Sequence, residues 1–297
     1  MSNKILFKFS FENGWGDTFL SIFDIVNCAD FIKKTYPDYE LVLIINDEFN
    51  VNTLDKVINL EFFNNFFNEF KILNKDNLFK NLNGVSNYNG VEYKRLYSGR
   101  NQNIFNNING IFDVFIPLKD YENVVNLNIP FIDFTFNDVD DRANDFDVFN
   151  KDIVNLVDDF ISNNLDSDFE SIYYRALTPL NNDKIIKFRD EVLKTLDPNK
   201  KYFICSNASF VKKVFSELNL NIKMYRDLEN HNPNLISNGF TRYGQTLEEA
   251  LFVVGELLIL SKSKNIYYGG DISFTSLFNW YSINIKKIKL TNIVVWE

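Results

Sequence analysis

Asn265-Ile266-Tyr267-Tyr268-Gly269-Gly270-Asp271-Ile272-Ser273-Phe274 is the stretch on which the fold turns. An apolar, aromatic run of strand type passes into a Gly-Gly loop, and a helix is expected from 273 to 282. Immediately upstream, residues 246–261 have the length and apolar content of a helix, yet they carry a carboxylate, Glu256. A carboxylate in that setting requires a hydrogen-bonding partner, because unpaired burial of charge is costly. Helix, strand, glycine loop and helix in this order form a unit of an open parallel sheet. There the loop amides and the next helix N-terminus can cradle an anion.

Working back from that unit, the second half of the chain alternates regularly. Strands are expected at 171–175, 201–205, 222–225, 265–268 and 286–290, with helices at 183–196, 209–218 and 246–261. Alternation at this spacing predicts a parallel sheet covered on both faces. The first half opens in the same way. A strand at 5–9 leads through Asn13-Gly14-Trp15-Gly16-Asp17 into a helix marked by Phe19, Ile22, Phe23, Val26, Ala29 and Ile32. Pro37 ends that helix, and the apolar run 41–45 reads as a buried parallel strand. Beyond it, a helix is expected over 54–70, a strand at 71–73, loops across the Asn/Gly/Tyr-rich 81–109, and strands at 112–116 and 131–136. An acidic stretch follows, then a helix at 152–162, which places the interdomain crossing within 138–168. The expected architecture is α/β: two Rossmann-like, doubly wound domains over 1–165 and 166–297.

The chain has 297 residues, 45% hydrophobic and 24% charged, enough to build a substantial core. Its net charge of −9 argues against an extended nucleic-acid interface, which needs a concentrated positive field. Cys28 and Cys205 both fall in expected buried elements, consistent with a reducing compartment and no disulfide framework. No signal peptide is expected at the N-terminus, and the longest apolar stretch, 250–260, is interrupted by Glu256 and too short to span a bilayer. A cytoplasmic site is therefore expected, in a bacterial cell or a virus-infected host. The abundance of Phe, Asn and Lys reflects coding bias of the kind found in viruses and low-G+C bacteria.

Four segments can carry chemistry. Gly14-Trp15-Gly16-Asp17 lies between strand and helix, where glycines allow a ligand close to the backbone. Phe19 occupies the place of the third glycine of a dinucleotide fingerprint, and Asp17 can equally serve as a helix cap. Arg175 follows the first strand of the second half, where a guanidinium can clamp a diphosphate. A surface pairing with a neighbouring carboxylate is the alternative. Ser206-Asn207 ends the next strand and can either cap a helix or touch a ligand. The fourth segment is Glu256 with the loop from Gly270 through Asp271 to Ser273 and Phe274.

Taken together, Arg175 after a strand, the Ser206-Asn207 turn, and Glu256…Leu260-Ser261…Ser273-Phe274…Asn279-Trp280-Tyr281 resemble the fucosyltransferase-like GT-B glycosyltransferases. That group includes the α-1,2-, α-1,6- and protein O-fucosyltransferases. The likeness covers roughly 170–290, and Gly14-Trp15-Gly16-Asp17 is similar to the family's opening glycine turn. Tyr173 stands where the family's motif has His, Thr178 where it has Asp, Ser206-Asn207-Ala208 where it has a Thr-Asp-Asp type turn, and Glu256 where it has Asp.

The resemblance implies a GT-B arrangement, two domains facing a cleft, with the donor on the C-terminal side. It implies sugar transfer, fucose being one candidate, from a nucleotide diphosphate donor, GDP-linked by preference, to a glycan or other hydroxyl acceptor. Arg175 would hold the leaving diphosphate, and Ser206, Asn207, Glu256, Gly270, Asp271, Ser273 and Phe274 would contact the donor. Gly14, Trp15 and Gly16 would form the acceptor-side loop, with Asp17 as candidate base. No metal or further cofactor is expected, because Arg175 and a helix dipole can supply the positive charge. A catalytically degenerate relative that binds glycan or nucleotide, or serves as an assembly component, is the alternative suggested by the altered motif positions. Asp145-Phe146-Asp147 spells a metal-binding DxD, but it lies in a stretch where that spelling arises readily by chance. His231, the lone histidine, sits in an irregular polar segment and is not expected to be catalytic.

Overall fold

The computed structural model describes residues 3–10, 15–46, 55–73, 85–99, 112–121, 148–176, 180–226, 247–270 and 289–293. The chain divides into two compact units, Met1–Val148 and Phe149–Glu297. The helix Lys151–Asn164 belongs with the second unit.

The first unit holds a six-stranded sheet. Its strands are β1 (Lys4–Ser10), β2 (Glu40–Asn46), β3 (Glu69–Leu73), β4 (Val85–Tyr88), β5 (Val91–Gly99) and β6 (Phe112–Pro117), in the order β3-β2-β1-β6-β5-β4. β1, β2 and β3 run parallel, and α1 (Trp15–Thr35) connects the first two. Ile22, Ile25, Val26, Ala29 and Ile32 form the buried stripe of α1, as the helical period requires. From β6 onward the sheet is antiparallel. The strands β4 and β5 replace loops expected over much of 81–109. Asn89 and Gly90 both have positive φ, 51° and 80°, the geometry of a two-residue hairpin turn whose twist matches its flanking strands. A register shift between Arg95 and Tyr97 bends β5. The hairpin then folds across the sheet. Tyr88 and Tyr93 pack on Leu6, Val42, Ile44 and Phe115, and Lys71 Nζ of β3 donates to Tyr88 Oη of β4 at 2.9 Å.

Of the helix expected over 54–70, residues 55–57 are helical, Leu60–Asn65 is a 3-10 helix, and 69–70 already belong to β3. The Asn59 N–H donates to Val148 O at 2.8 Å and the Asn59 side chain caps the following turn through Glu61 N. A helix continuing through Asn59 would need that N–H for itself. The strand expected at 131–136 lies outside the described residues.

The second unit is built as the alternation predicted. It comprises α2 (Lys151–Asn164), β7 (Glu170–Arg175), α3 (Asn182–Leu193), β8 (Lys201–Ser206), α4 (Ser209–Ser216), β9 (Asn221–Lys223), α5 (Leu247–Ser261), β10 (Asn265–Gly270) and β11 (Lys289–Asn292). All strand pairs are parallel, in the order β11-β10-β7-β8-β9. The order runs outward from β7 in one direction and from β10 in the other, so the topological switch point lies between β7 and β10. Side chains alternate across a strand. Ile172, Tyr174, Tyr202 and Ile204 therefore share a core with Ile185 and Phe188 of α3 and Val211 and Phe215 of α4. The opposite face carries Tyr173 and Cys205, and there α2 packs against α5. Asn150 and Asn181 cap α2 and α3 by accepting from Asp152 N and Lys184 N, which accounts for two of the chain's many asparagines.

The hairpin makes a direct prediction. Replacing Gly90 by Ala places a Cβ in the left-handed region and should cost about 1–2 kcal/mol. A denaturant titration following the first unit checks it, and an unchanged midpoint would contradict the assigned turn.

Candidate functional site

Ligands of open α/β sheets bind beyond the carboxyl ends of the strands, at the switch point. Arg175 is the last residue of β7 and pairs in register with Gly270, the last residue of β10. The two therefore flank the switch point itself. Arg175 is 5% exposed.

Both sides of Arg175 are clamped. On the β10 side, Gly270 has φ 94°, and a Cβ there would collide with the Arg175 carbonyl oxygen. Its neighbour Gly269 lies against the Phe188 ring of α3, where a Cβ would come within 2.5 Å of the ring. The glycine pair thus lets β10 approach β7 and α3 closely. On the β8 side, Ser206 Oγ donates to Tyr174 O at 2.7 Å and accepts from Ala208 N at 3.1 Å. The Asn207 side chain grips the backbone just past Arg175. Its Oδ1 accepts from Ala176 N and its Nδ2 donates to Ala176 O, both at 2.9 Å. An amide side chain here extends the β7–β8 ladder by one rung. Ser206 is buried and Asn207 half-buried, and the hydrogen bonds named here run to backbone.

Beneath this turn sits Glu256 of α5. Its Oε1 accepts from Lys212 Nζ at 2.5 Å, and its Oε2 accepts from Cys205 Sγ at 3.4 Å. Lys212 is 0% exposed and Glu256 8%. The partner that a carboxylate in an apolar helix requires is therefore a buried lysine from α4. Sequence reading overlooked Lys212. Its signal is positional: it lies four residues after Ala208 and three before Phe215, inside the buried stripe of α4.

The cluster extends to Tyr173, whose register partner is Cys205. Burial raises the Tyr173 hydroxyl well above its ordinary value; the Arg175 charge opposes this, and Cys205 and Glu256 add to it. Burial likewise raises the Cys205 thiol, with the Glu256 charge reinforcing it and Lys212 opposing it. Both groups are neutral at physiological pH and serve as polar lining. A second buried guanidinium, Arg226, follows β9 and lies 5.1 Å from the Phe252 ring of α5. Tyr225 packs over Gly255, and burial and the nearby Glu256 charge raise its hydroxyl.

Of the residues singled out from sequence, Arg175, Ser206, Asn207, Glu256 and Gly270 come together at this edge. Asp271, Ser273, Phe274, Thr178, Asp145, Asp147 and His231 lie outside the described residues, as does Gly14. Trp15, Gly16 and Asp17 form the first turn of α1 in the other unit. Among the described residues no group of three His, Cys, Asp or Glu side chains converges as a metal site, and no helix is long and apolar enough to cross a membrane. Both cysteines, Cys28 and Cys205, are buried.

No known family profile matches the sequence, and no curated protein does. Part of the chain resembles solved fucosyltransferase structures. The NodZ α-1,6-fucosyltransferase co-crystallised with GDP matches at 14% identity and a TM-score of 0.32, over 46% of this chain and 42% of that one. The fucosyltransferase NodZ from Bradyrhizobium matches at 13% identity and 0.32, over 46% and 43%. The NodZ enzyme soaked with GDP-fucose matches at 14% and 0.31, over 46% and 42%. The matched region spans less than half the length of each.

Two measurements test the clamp. Asn207→Ala strips the buried Ala176 N–H and C=O of these partners and should cost roughly 1–3 kcal/mol. Gly270→Ala should destabilise further, since backbone must move; thermal melts of both variants decide it. Alkaline titration tests the burial. Tyr267, pushed up to about 12 by burial and by Glu170, and Tyr173, raised further, favour the neutral form in the folded state. Their contribution is complete below about pH 10, the unfolded value, and is lost as pH rises through the folded values. Tyrosinate absorbance should therefore rise with unfolding; early titration of these groups in a folded chain would contradict their burial.

Proposed function

We propose that this protein is a glycosyltransferase that holds a nucleotide diphosphate sugar at the carboxyl edge of its second sheet. One observation carries the proposal: Arg175, a buried guanidinium, stands at the switch point of a parallel sheet beside a positive-φ glycine and a Ser-Asn turn. A guanidinium there donates in bidentate fashion to diphosphate oxygens and offsets the charge that develops as the leaving group departs. The sugar's anomeric carbon–oxygen bond to the diphosphate breaks while the acceptor hydroxyl oxygen bonds to that carbon. The acceptor's proton passes to a base. Backbone amides at the N-terminal end of α4, which no side chain caps, add donors, so the scheme requires no metal. The motif resemblance supports a GDP-linked donor, with fucose as the candidate sugar and a glycan or another hydroxyl compound as acceptor.

A second reading has its own observation. The hydrogen bonds of Ser206 and Asn207 described above run to backbone, which is the arrangement of a turn kept for architecture. A protein that binds nucleotide or glycan without transferring sugar fits that arrangement.

Thermal melts with GDP, UDP and ADP, and with their sugar conjugates, test the proposal. A ligand at about 100 times its Kd should stabilise by about 2.7 kcal/mol. At least one diphosphate should do so, and Arg175→Gln should abolish the shift while remaining folded. No shift with any of them sinks donor binding. A shift without slow hydrolysis or transfer of the sugar favours the second reading.

A further inference from the structure

The turn that grips Arg175 is itself held from beneath by one carboxylate. Cys205 is the penultimate residue of β8, Ser206 and Asn207 form the turn, and Lys212 lies in the first half of α4. The two residues flanking the turn, seven positions apart in the chain, converge on opposite oxygens of Glu256: Cys205 Sγ on Oε2 at 3.4 Å and Lys212 Nζ on Oε1 at 2.5 Å. Core packing alone does not call for this arrangement. Burying an ion pair costs desolvation that apolar residues of similar size would avoid. A lysine near the start of a helix also faces the positive end of its dipole. Lys212 nonetheless has no exposed surface.

From this convergence we infer that Glu256 is a positioning residue for donor binding: with Lys212 it staples both ends of the Ser206–Asn207 turn, and so aims Arg175, without touching the donor. The inference rests on the donor-binding reading above. Its mechanical path is continuous. Glu256 fixes Cys205 and Lys212, the turn between them fixes Tyr174 and Ala176 through Ser206 Oγ and the Asn207 amide, and those two residues bracket Arg175. Alternation along β7 and β8 puts Tyr173 and Cys205 on the face from which Glu256 approaches. Because both carboxylate oxygens are engaged there, the donor role expected of Glu256 from sequence becomes an indirect one. The signature is a separation of stability from affinity. Removing one charge strands the other and should unfold or loosen the unit, whereas removing both with residues of similar shape should restore folding but not the aim of Arg175.

The test uses the full chain, with GDP as probe and UDP as a second probe, in calorimetric titration beside thermal melts. Variants are Glu256→Asp, Lys212→Met paired with Glu256→Gln, and Arg175→Gln. Glu256→Asp keeps the charge, so Lys212 is not stranded and the unit stays folded, but it is too short to reach both flanks. It should weaken nucleotide binding about tenfold or more, since small misplacements of binding groups are costly. The paired variant should melt near wild type and bind with the same loss. Hydrogen exchange should quicken at the Ala176 and Ala208 amides in Glu256→Asp and stay unchanged in α3 and β11, a local effect that general loosening would not produce. Wild-type affinity in Glu256→Asp, or in a folded paired variant, overturns the staple alone. Wild-type protein that binds neither GDP nor UDP overturns the donor reading and the staple with it.

Discussion

The second unit depends on how closely β10 approaches β7. At Gly270 the approach is too tight for any side chain, and at Gly269 the Phe188 ring fills the space a Cβ would take. Through that contact the switch point is narrow, and Arg175 is fixed along its backbone. On the far side of β7 the Asn207 amide completes the ladder at Ala176. A long, adaptable side chain thus emerges from one of the most constrained backbone segments in the described chain. Such an arrangement suits a group that must meet a ligand without first being ordered, since little conformational freedom is lost on binding.

Much of the second unit was legible because its central strands β7, β8 and β10 are largely buried and α2, α3 and α4 are amphipathic, so hydrophobic runs and periods report it directly. The glycine pair was legible as a loop signal but its cause was not. From sequence Gly269 and Gly270 read as room for a ligand, whereas in the fold they make room for Phe188 and the Arg175 carbonyl. Lys212 was obscured by its chemistry: a lysine reads as solvated, and only the location of its partner, 44 residues away in the chain, reverses that. The demand of Glu256 for a partner was visible; the identity of the partner was a tertiary fact. In the first unit the reading missed the hairpin over 85–99 for a more ordinary reason. Asn89-Gly90 is a strong hairpin signal, but in a chain this rich in asparagine it was absorbed into the surrounding polar composition.

The two units handle buried polarity differently. In the first, Lys4, Glu40, Glu69 and Lys71 form a half-exposed network, with Glu69 held below the ordinary carboxylate range by hydrogen bonds from Lys71 and Lys4. Such pairs contribute little individually and are screened by salt. In the second, one pair is withdrawn from solvent and set among neutral hydroxyl and thiol groups. The first arrangement tolerates substitution; the second does not, because a stranded partner has no water to turn to.

The contact between Lys71 and Tyr88 has a consequence for the chain's behaviour in a crowded solution. β3 and β4 are the two edges of the six-stranded sheet, and edges offer unpaired amides and carbonyls to any strand that meets them. Here the sheet curls until its edges are tethered to one another by a lysine amine and a tyrosine hydroxyl. A foreign strand would have to part that tether and expel the Tyr88 and Tyr93 rings before it could add to either side. The hairpin that composition concealed thus adds a tether to the devices by which sheets blunt their edges, beside charge, proline, bulges and short strands.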